Sequence, residues 1–258
     1  MNNGIIQIAG IQDIWEARML ISAGVHWLGF PLRLDVHRED MTEAETAAVV
    51  RALSPAAQAV LITYLARADD LVALCRRTGI RRIQLHGEIA LPQLRRLRAL
   101  DPDLFIVKSL VVGKRDSAGL ETLMRSCAPC VDAFITDTHD PKTGASGATG
   151  RTHDWEISRR LAAAAAKPVI LAGGLNPDNV RQAVLTVRPA GVDAHTGVEG
   201  IDGRKDENLV RAFVREALAA FAEIRGKNVQ TPGACRKGPR RETFPSGIFC
   251  VDKNRKTF

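Results

Sequence analysis

Leu171-Ala-Gly-Gly-Leu-Asn-Pro177 and Gly191-Val-Asp-Ala-His-Thr-Gly-Val-Glu199 decide the fold. Each is a short apolar run that ends in glycine and small polar residues and leads into a helical pattern. A parallel strand that delivers its backbone to an anion has this form. Glycine lets the main chain approach closely, and the N–H groups that open the next helix have no intrahelical partner. Two such loops in succession, closing a long series of strand–helix units, predict the phosphate site of a (β/α)8 barrel and a phosphorylated small molecule as its ligand.

The rest of the chain fits that frame. Strand-like runs fall at Ile5–Ala9, Val25–Phe30, Ala59–Leu65, Arg82–Leu85, Phe105–Val112, Val131–Asp137, Pro168–Gly173 and Val192–Thr196, with helical patterns between them. Eight strict alternations predict an α/β fold, a single (β/α)8 TIM barrel over residues 1–225, ahead of an open doubly wound sheet. Thr42-Glu-Ala-Glu45 reads as a capping box. Asn176-Pro177 reads as a cap followed by proline at the first helical position. The Gly/Ser/Thr-rich stretch from Thr138 to His153 reads as a lid.

The chain has 258 residues, 45% of them hydrophobic, which is enough for a large core. No apolar run approaches the ~20 residues of a membrane span. Met1-Asn-Asn-Gly carries no basic region followed by an apolar one, so the cytoplasm is the expected location. The formal net charge is +7, but residues 226–258 hold eight Lys/Arg against Glu242 and Asp252, or +6. The barrel is thus nearly neutral, and nucleic-acid binding is not expected of it. Residues 226–258 read as a basic, disordered tail. Cys127-Ala-Pro-Cys130 has redox or half-zinc spacing, but no second close pair accompanies it, and two ordinary thiols are expected. Monomer and homodimer both remain open.

Chemistry in such a barrel sits where the strands end. Those ends supply Ala9-Gly10, then Arg33, Asp35, His37 and Arg38, then His86-Gly87, Lys108, Asp137-Thr138-His139, Gly173-Gly174, and finally Asp193, His195, Thr196 and Gly197. Asp137 closes an apolar run, so partial desolvation suits it to general-acid work. Arg38 has the guanidinium fork that clamps a carboxylate. His86 is either a hydrogen-bonded core residue or a substrate contact. His139 and His195 sit nearer the mouth, and imidazole is the side chain able to titrate near neutral pH. Asp193 is expected to point inward, toward a sugar hydroxyl or into a salt bridge with Lys108.

Together these segments resemble phosphoribosylanthranilate isomerase. The likeness spans about residues 5–220. It is carried by Ile83-Gln-Leu-His-Gly-Glu88, Phe134-Ile-Thr-Asp-Thr138, Gly147-Ala-Thr-Gly-Arg-Thr-His-Asp-Trp155, the two glycine stretches and Gly203-Arg-Lys-Asp206. The resemblance implies an Amadori rearrangement of an aminoaldose phosphate to an aminoketose phosphate, of the tryptophan-biosynthesis type, with no cofactor and no metal. It implies Asp137 as general acid, Arg38 as carboxylate clamp, and Gly173, Gly174, Thr196 and Gly197 as phosphate loops. It also implies a cysteine base at the end of the first strand, in the pattern Lys-Ile-Cys-Gly. This chain reads Gln7-Ile-Ala-Gly10 instead. Ala9 cannot accept a proton. His195 and His37 are the candidate substitutes. A divergent isomerase or lyase for another phosphorylated molecule, or a non-catalytic phosphosugar-binding protein, are the alternatives.

Overall fold

The computed structural model describes residues 4–34, 39–53, 59–138 and 154–229. Eight strands, β1 (Ile5–Ala9), β2 (Trp27–Pro31), β3 (Ala59–Thr63), β4 (Arg82–Leu85), β5 (Phe105–Val112), β6 (Ala133–Thr138), β7 (Val169–Leu171) and β8 (Gly191–Ala194), form one closed parallel barrel in chain order. Around it lie α1 (Ile14–Ser22), α2 (Glu43–Ala52), α3 (Ala68–Thr78), α4 (Leu91–Leu100), α5 (Ser117–Cys127), α6 (Trp155–Ala164), α7 (Val180–Val187) and α8 (Glu207–Val229). The TIM barrel expected from the alternation is therefore the fold. Closure comes from β1 pairing with β8, with Gln7 opposite Asp193 and Ile8 opposite Ala194.

Strand alternation produces two apolar layers. Residues such as Ile6, Ile8, Leu28, Leu61, Ile83 and Phe134 face the helices and form the larger core. A smaller cluster fills the barrel interior with Ala9, Trp27, Val60, Ile62, Val107, Ile135, Ile170 and Ala172. At the N-terminal end Trp27 and Phe105 meet edge to face at 5.6 Å, and the Arg82 guanidinium lies 4.3 Å from the centre of the Trp27 ring. These three large groups plug the bottom. The inward residues nearer the opposite end are small or polar, namely Ala9, Ser109 and Ala172, with Asp137. Among the described residues the barrel interior is thus open toward its C-terminal end.

Helix starts follow the local chemistry. Thr42 and Glu45 form the complete capping box expected of them. The seventh unit departs from expectation. Asn176 Oδ1 accepts the N–H groups of Asp178 and Asn179 at 2.9 and 3.1 Å, so Asn176 closes a turn. Regular α7 begins at Val180, three residues beyond Pro177. A short asparagine side chain satisfies this local backbone as well as a helix would. At the other end of the chain α8 continues to Val229, past the barrel boundary expected at 225.

His26 ties the bottom of β1 to the chain entering β2: its Nδ1 accepts the Ile6 N–H at 3.1 Å. Burial holds the ring below its ordinary value of 6.5. The stability contributed by the neutral ring is present above pH 6.5. It is lost as pH falls from there through the lower folded-state value, because the unfolded chain takes up the proton first. The urea midpoint is expected to fall below pH 6.5, and to fall less in His26→Gln, which keeps an acceptor but cannot titrate. Denaturation curves between pH 5 and 8 check this.

Candidate active site

Loops β7–α7 and β8–α8 form one side of the mouth. Gly173 and Gly174 both adopt positive φ, at +98° and +64°, a backbone that side chains with a Cβ resist. Asn179 Nδ2 donates to Gly174 O at 2.9 Å and fixes the turn from below. The N–H groups of Gly173 and Gly174 meet no acceptor among the described residues. After β8 the chain makes a single 3-10 turn, Thr196–Val198. A Cβ on Gly197 would overlap the Leu175 carbonyl oxygen and stand 2.9 Å from its carbon, so the two loops are in backbone contact. One pocket is lined by Gly173, Gly174, Thr196 and Gly197 together with Asp137, Asp193 and His195. Gly197→Ala must part the loops, at a cost of about 1–3 kcal/mol for an overpacked contact. It is expected to lower the melting temperature and weaken inorganic phosphate binding, as read by calorimetry.

Two carboxylic acids point into this mouth from β6 and β8. Asp137 is buried; its Oδ1 accepts the Thr138 N–H at 2.7 Å, and Oδ2 lies 3.9 Å from His86 Nε2. Burial pushes its carboxyl up, with His86 and the Thr138 N–H opposing. Asp193 is pushed up further, first by burial and then by the Asp137 charge. The Gln7 amide and the Lys205 ammonium pull it back only in part. Asp193 Oδ1 has no hydrogen-bond partner among the described residues. Both acids therefore retain protons to higher pH than ordinary aspartates.

The expected Asp193–Lys108 salt bridge is not formed. Val107 and Ser109 face the barrel interior, so Lys108 between them faces outward. Its Nζ donates to the carbonyls of Leu85, Gly87 and Ser109 at 3.0 to 3.4 Å. Burial lowers its pKa to about 8. His86 is a buried mouth residue, with Nδ1 3.3 Å from Ser109 Oγ and its ring edge-on to Tyr64. Arg33 is occupied by Glu43, its Nε donating at 2.7 Å. His37, Arg38, Asp35, His139 and the Thr138–His153 lid beyond Thr138 lie outside the described residues. Cys127 and Cys130 are buried free thiols ahead of β6, at the barrel's closed end.

Some residues at the mouth carried no role in the sequence reading. Gln7 and Gln84 join across the barrel interior at 2.8 Å, beneath the acids. Glu199 and Lys205 pair as a short antiparallel bridge, with Lys205 Nζ 2.5 Å from Glu199 Oε1 and 3.3 Å from the His195 carbonyl oxygen. The letters were visible as motif residues in Gly191–Glu199 and Gly203–Asp206. Their contact joins positions six apart through a turn that spacing alone does not specify.

A barrel with two buried carboxyls and two glycine loops at its C-terminal mouth is built as a (β/α)8 enzyme. The family described as N-(5'phosphoribosyl)anthranilate (PRA) isomerase matches residues 7–216. An N-(5'-phosphoribosyl)anthranilate isomerase 2 from Methanosarcina mazei is 34% identical over 87% of this chain and 99% of its own. The Haloferax volcanii isomerase is 39% identical over 85% of this chain and 95% of its own. Among solved structures, the phosphoribosyl anthranilate isomerase of Thermotoga maritima superposes with a TM-score of 0.71 at 25% identity, over 84% of this chain and 99% of that one. The chain belongs to the N-(5'-phosphoribosyl)anthranilate isomerase family.

Proposed function

We propose that this protein catalyses the Amadori rearrangement of phosphoribosylanthranilate, with Asp137 as general acid. One observation carries the reading: a buried carboxyl, raised above its ordinary pKa by desolvation, lines the same pocket as the Thr196-Gly197 loop and the Gly173-Gly174 loop, whose N–H groups meet no acceptor among the described residues. The loops, Gly173-Gly174 and Thr196-Gly197, take the phosphate. Asp137 gives its proton to the ribose ring oxygen as the C1–O bond breaks, and the aniline nitrogen's lone pair forms the C1=N iminium. Removal of the C2 proton turns the C–H pair into C1=C2 and returns the C=N pair to nitrogen. The resulting enolamine gains a proton at C1 and loses one from the C2 hydroxyl, giving the ketone. Atoms balance, and no external oxidant or reductant takes part.

Asp193 serves as the partner of a sugar hydroxyl, since it lines the pocket and its buried Oδ1 has no hydrogen-bond partner among the described residues. His86 positions Asp137 through the 3.9 Å contact. Arg38 clamps the anthranilate carboxylate, on the strength of its place in the chain after β2. The cytoplasm is the proposed location; among the described residues no helix is long and apolar enough to cross a membrane.

Freshly prepared phosphoribosylanthranilate tests the reading through the loss of its anthranilate-type fluorescence. Wild-type protein is expected to turn it over. Asp137→Asn keeps the shape and removes the transferable proton, and is expected to lose about 10²–10⁴ in kcat, the usual worth of a general acid. Full activity in Asp137→Asn would remove Asp137 from the mechanism.

A further inference from the structure

The proton at C2 needs an acceptor, and Ala9 at the end of β1 offers only a methyl group. The β1–β8 pairing brings a different side chain to that spot. Gly10 follows Ala9 with φ +82°, and a Cβ there would lie inside contact distance of the His195 ring, 2.8 Å from Cδ2 and 3.0 Å from Cε1. The ring therefore lies directly against the backbone that leaves the Ala9 position. It also lines the pocket that holds Asp137 and the glycine loops. A base and an acid thus face one cavity from the ends of β8 and β6, two strands of the barrel separated only by β7.

His195 is held by its own loop. His195 Nε2 is 3.4 Å from Glu199 Oε1, one residue beyond the 3-10 turn. Glu199 in turn is fixed by Lys205, whose side chain is wholly buried. Lys205 is pinned from two directions: its N–H donates to Glu16 Oε1 at 2.9 Å, and its ammonium reaches the His195 carbonyl. The neighbouring Arg204 pairs with Asp13 at 2.5 Å, which ties the same loop to the start of α1. An imidazole backed by an oriented carboxylate keeps one ring orientation and is stabilised when it becomes imidazolium.

We infer that His195 is the general base of this chain, replacing a side chain at position 9, with Glu199 and Lys205 as positioning residues. The inference rests on the isomerase reading above. In the C2 step the imidazole takes the proton, the C–H pair enters C1=C2, and the imidazolium is neutralised by the Glu199 carboxylate until the proton is released. Among the described residues, the charged and titratable groups of this region are Glu199 on its own loop, Lys205 and Arg204 on the following one, Asp40 before α2, Asp13 and Glu16 at α1, and Asp137 and Asp193 in the same pocket. Asp40 joins this set through its electrostatic contact with Glu199 and Lys205.

The test is steady-state turnover of phosphoribosylanthranilate by the full chain as wild type, His195→Asn, His195→Gln, Ala9→Cys, His195→Asn with Ala9→Cys, and Glu199→Gln. Thermal unfolding and inorganic phosphate binding confirm that each variant is folded. The expected result is a loss of about 10²–10⁴ in kcat for both His195 variants with KM little changed. Activity returns when Ala9→Cys is added to His195→Asn. Glu199→Gln is expected to lower kcat and move the acidic limb of its pH profile to lower pH, because the carboxylate favours the imidazolium. Wild-type turnover that persists in both His195 variants overturns the inference and leaves the isomerase reading standing. A silent wild type beside an active Ala9→Cys overturns it too, since His195 then does not serve. Silence in both wild type and Ala9→Cys, with phosphate still bound, overturns the isomerase reading itself.

Discussion

The parallel pairing of β1 with β8 is the constraint on which the mouth depends. It closes the barrel, and its register, Gln7 to Asp193, places everything above it. Two residues beyond that pair stand Ala9, the last residue of β1, and His195, the first residue after β8. Ala9 belongs to the interior cluster, and His195 lines the pocket at the mouth. Gly10 then has to be glycine for two reasons at once: its φ is positive, and the His195 ring fills the place of a Cβ. A one-residue slip of register would turn Asp193 and His195 toward the helices and leave a mouth without acid or base on that side.

Much of this was legible in the sequence because its causes are local or periodic. The eight alternations specify a parallel sheet covered on its outer face by helices. The glycines at 173, 174 and 197 signal backbone that no side chain tolerates, and each has the conformation or the close approach that requires it. Asp137 could be placed because a carboxylate at the end of an apolar run must lie at a strand end. The residues that escaped are those whose role comes from a contact. Lys108 looked like a partner for Asp193, yet one position of strand phase puts it on the opposite face, bound to three carbonyls. Glu199 and Lys205 gave no signal as a pair. Gln7 and Gln84 are 77 positions apart and meet only because the barrel interior brings β1 and β4 across from each other.

The same geometry explains how a mouth lined with acids can hold an anion. Two ionised aspartates beside a phosphate would repel it. Burial raises the carboxyl pKa of both Asp137 and Asp193, and the Asp137 charge raises that of Asp193 further, so each gives up its proton less readily than an ordinary aspartate. Lys205, the buried cation that acts on Asp193, is paired with Glu199. On the proposed function, the uncharged backbone N–H groups of the glycine loops attract the phosphate and need no side-chain ordering to act. On the proposed function, a carboxyl raised by burial suits Asp137 to giving its proton to the ring oxygen. The burial that spares the phosphate a charge is then the burial that favours the first step. Ionising Asp137 by other means, such as a cation placed beside it, would damage binding and chemistry together, whereas loss of His195 leaves the phosphate loops untouched.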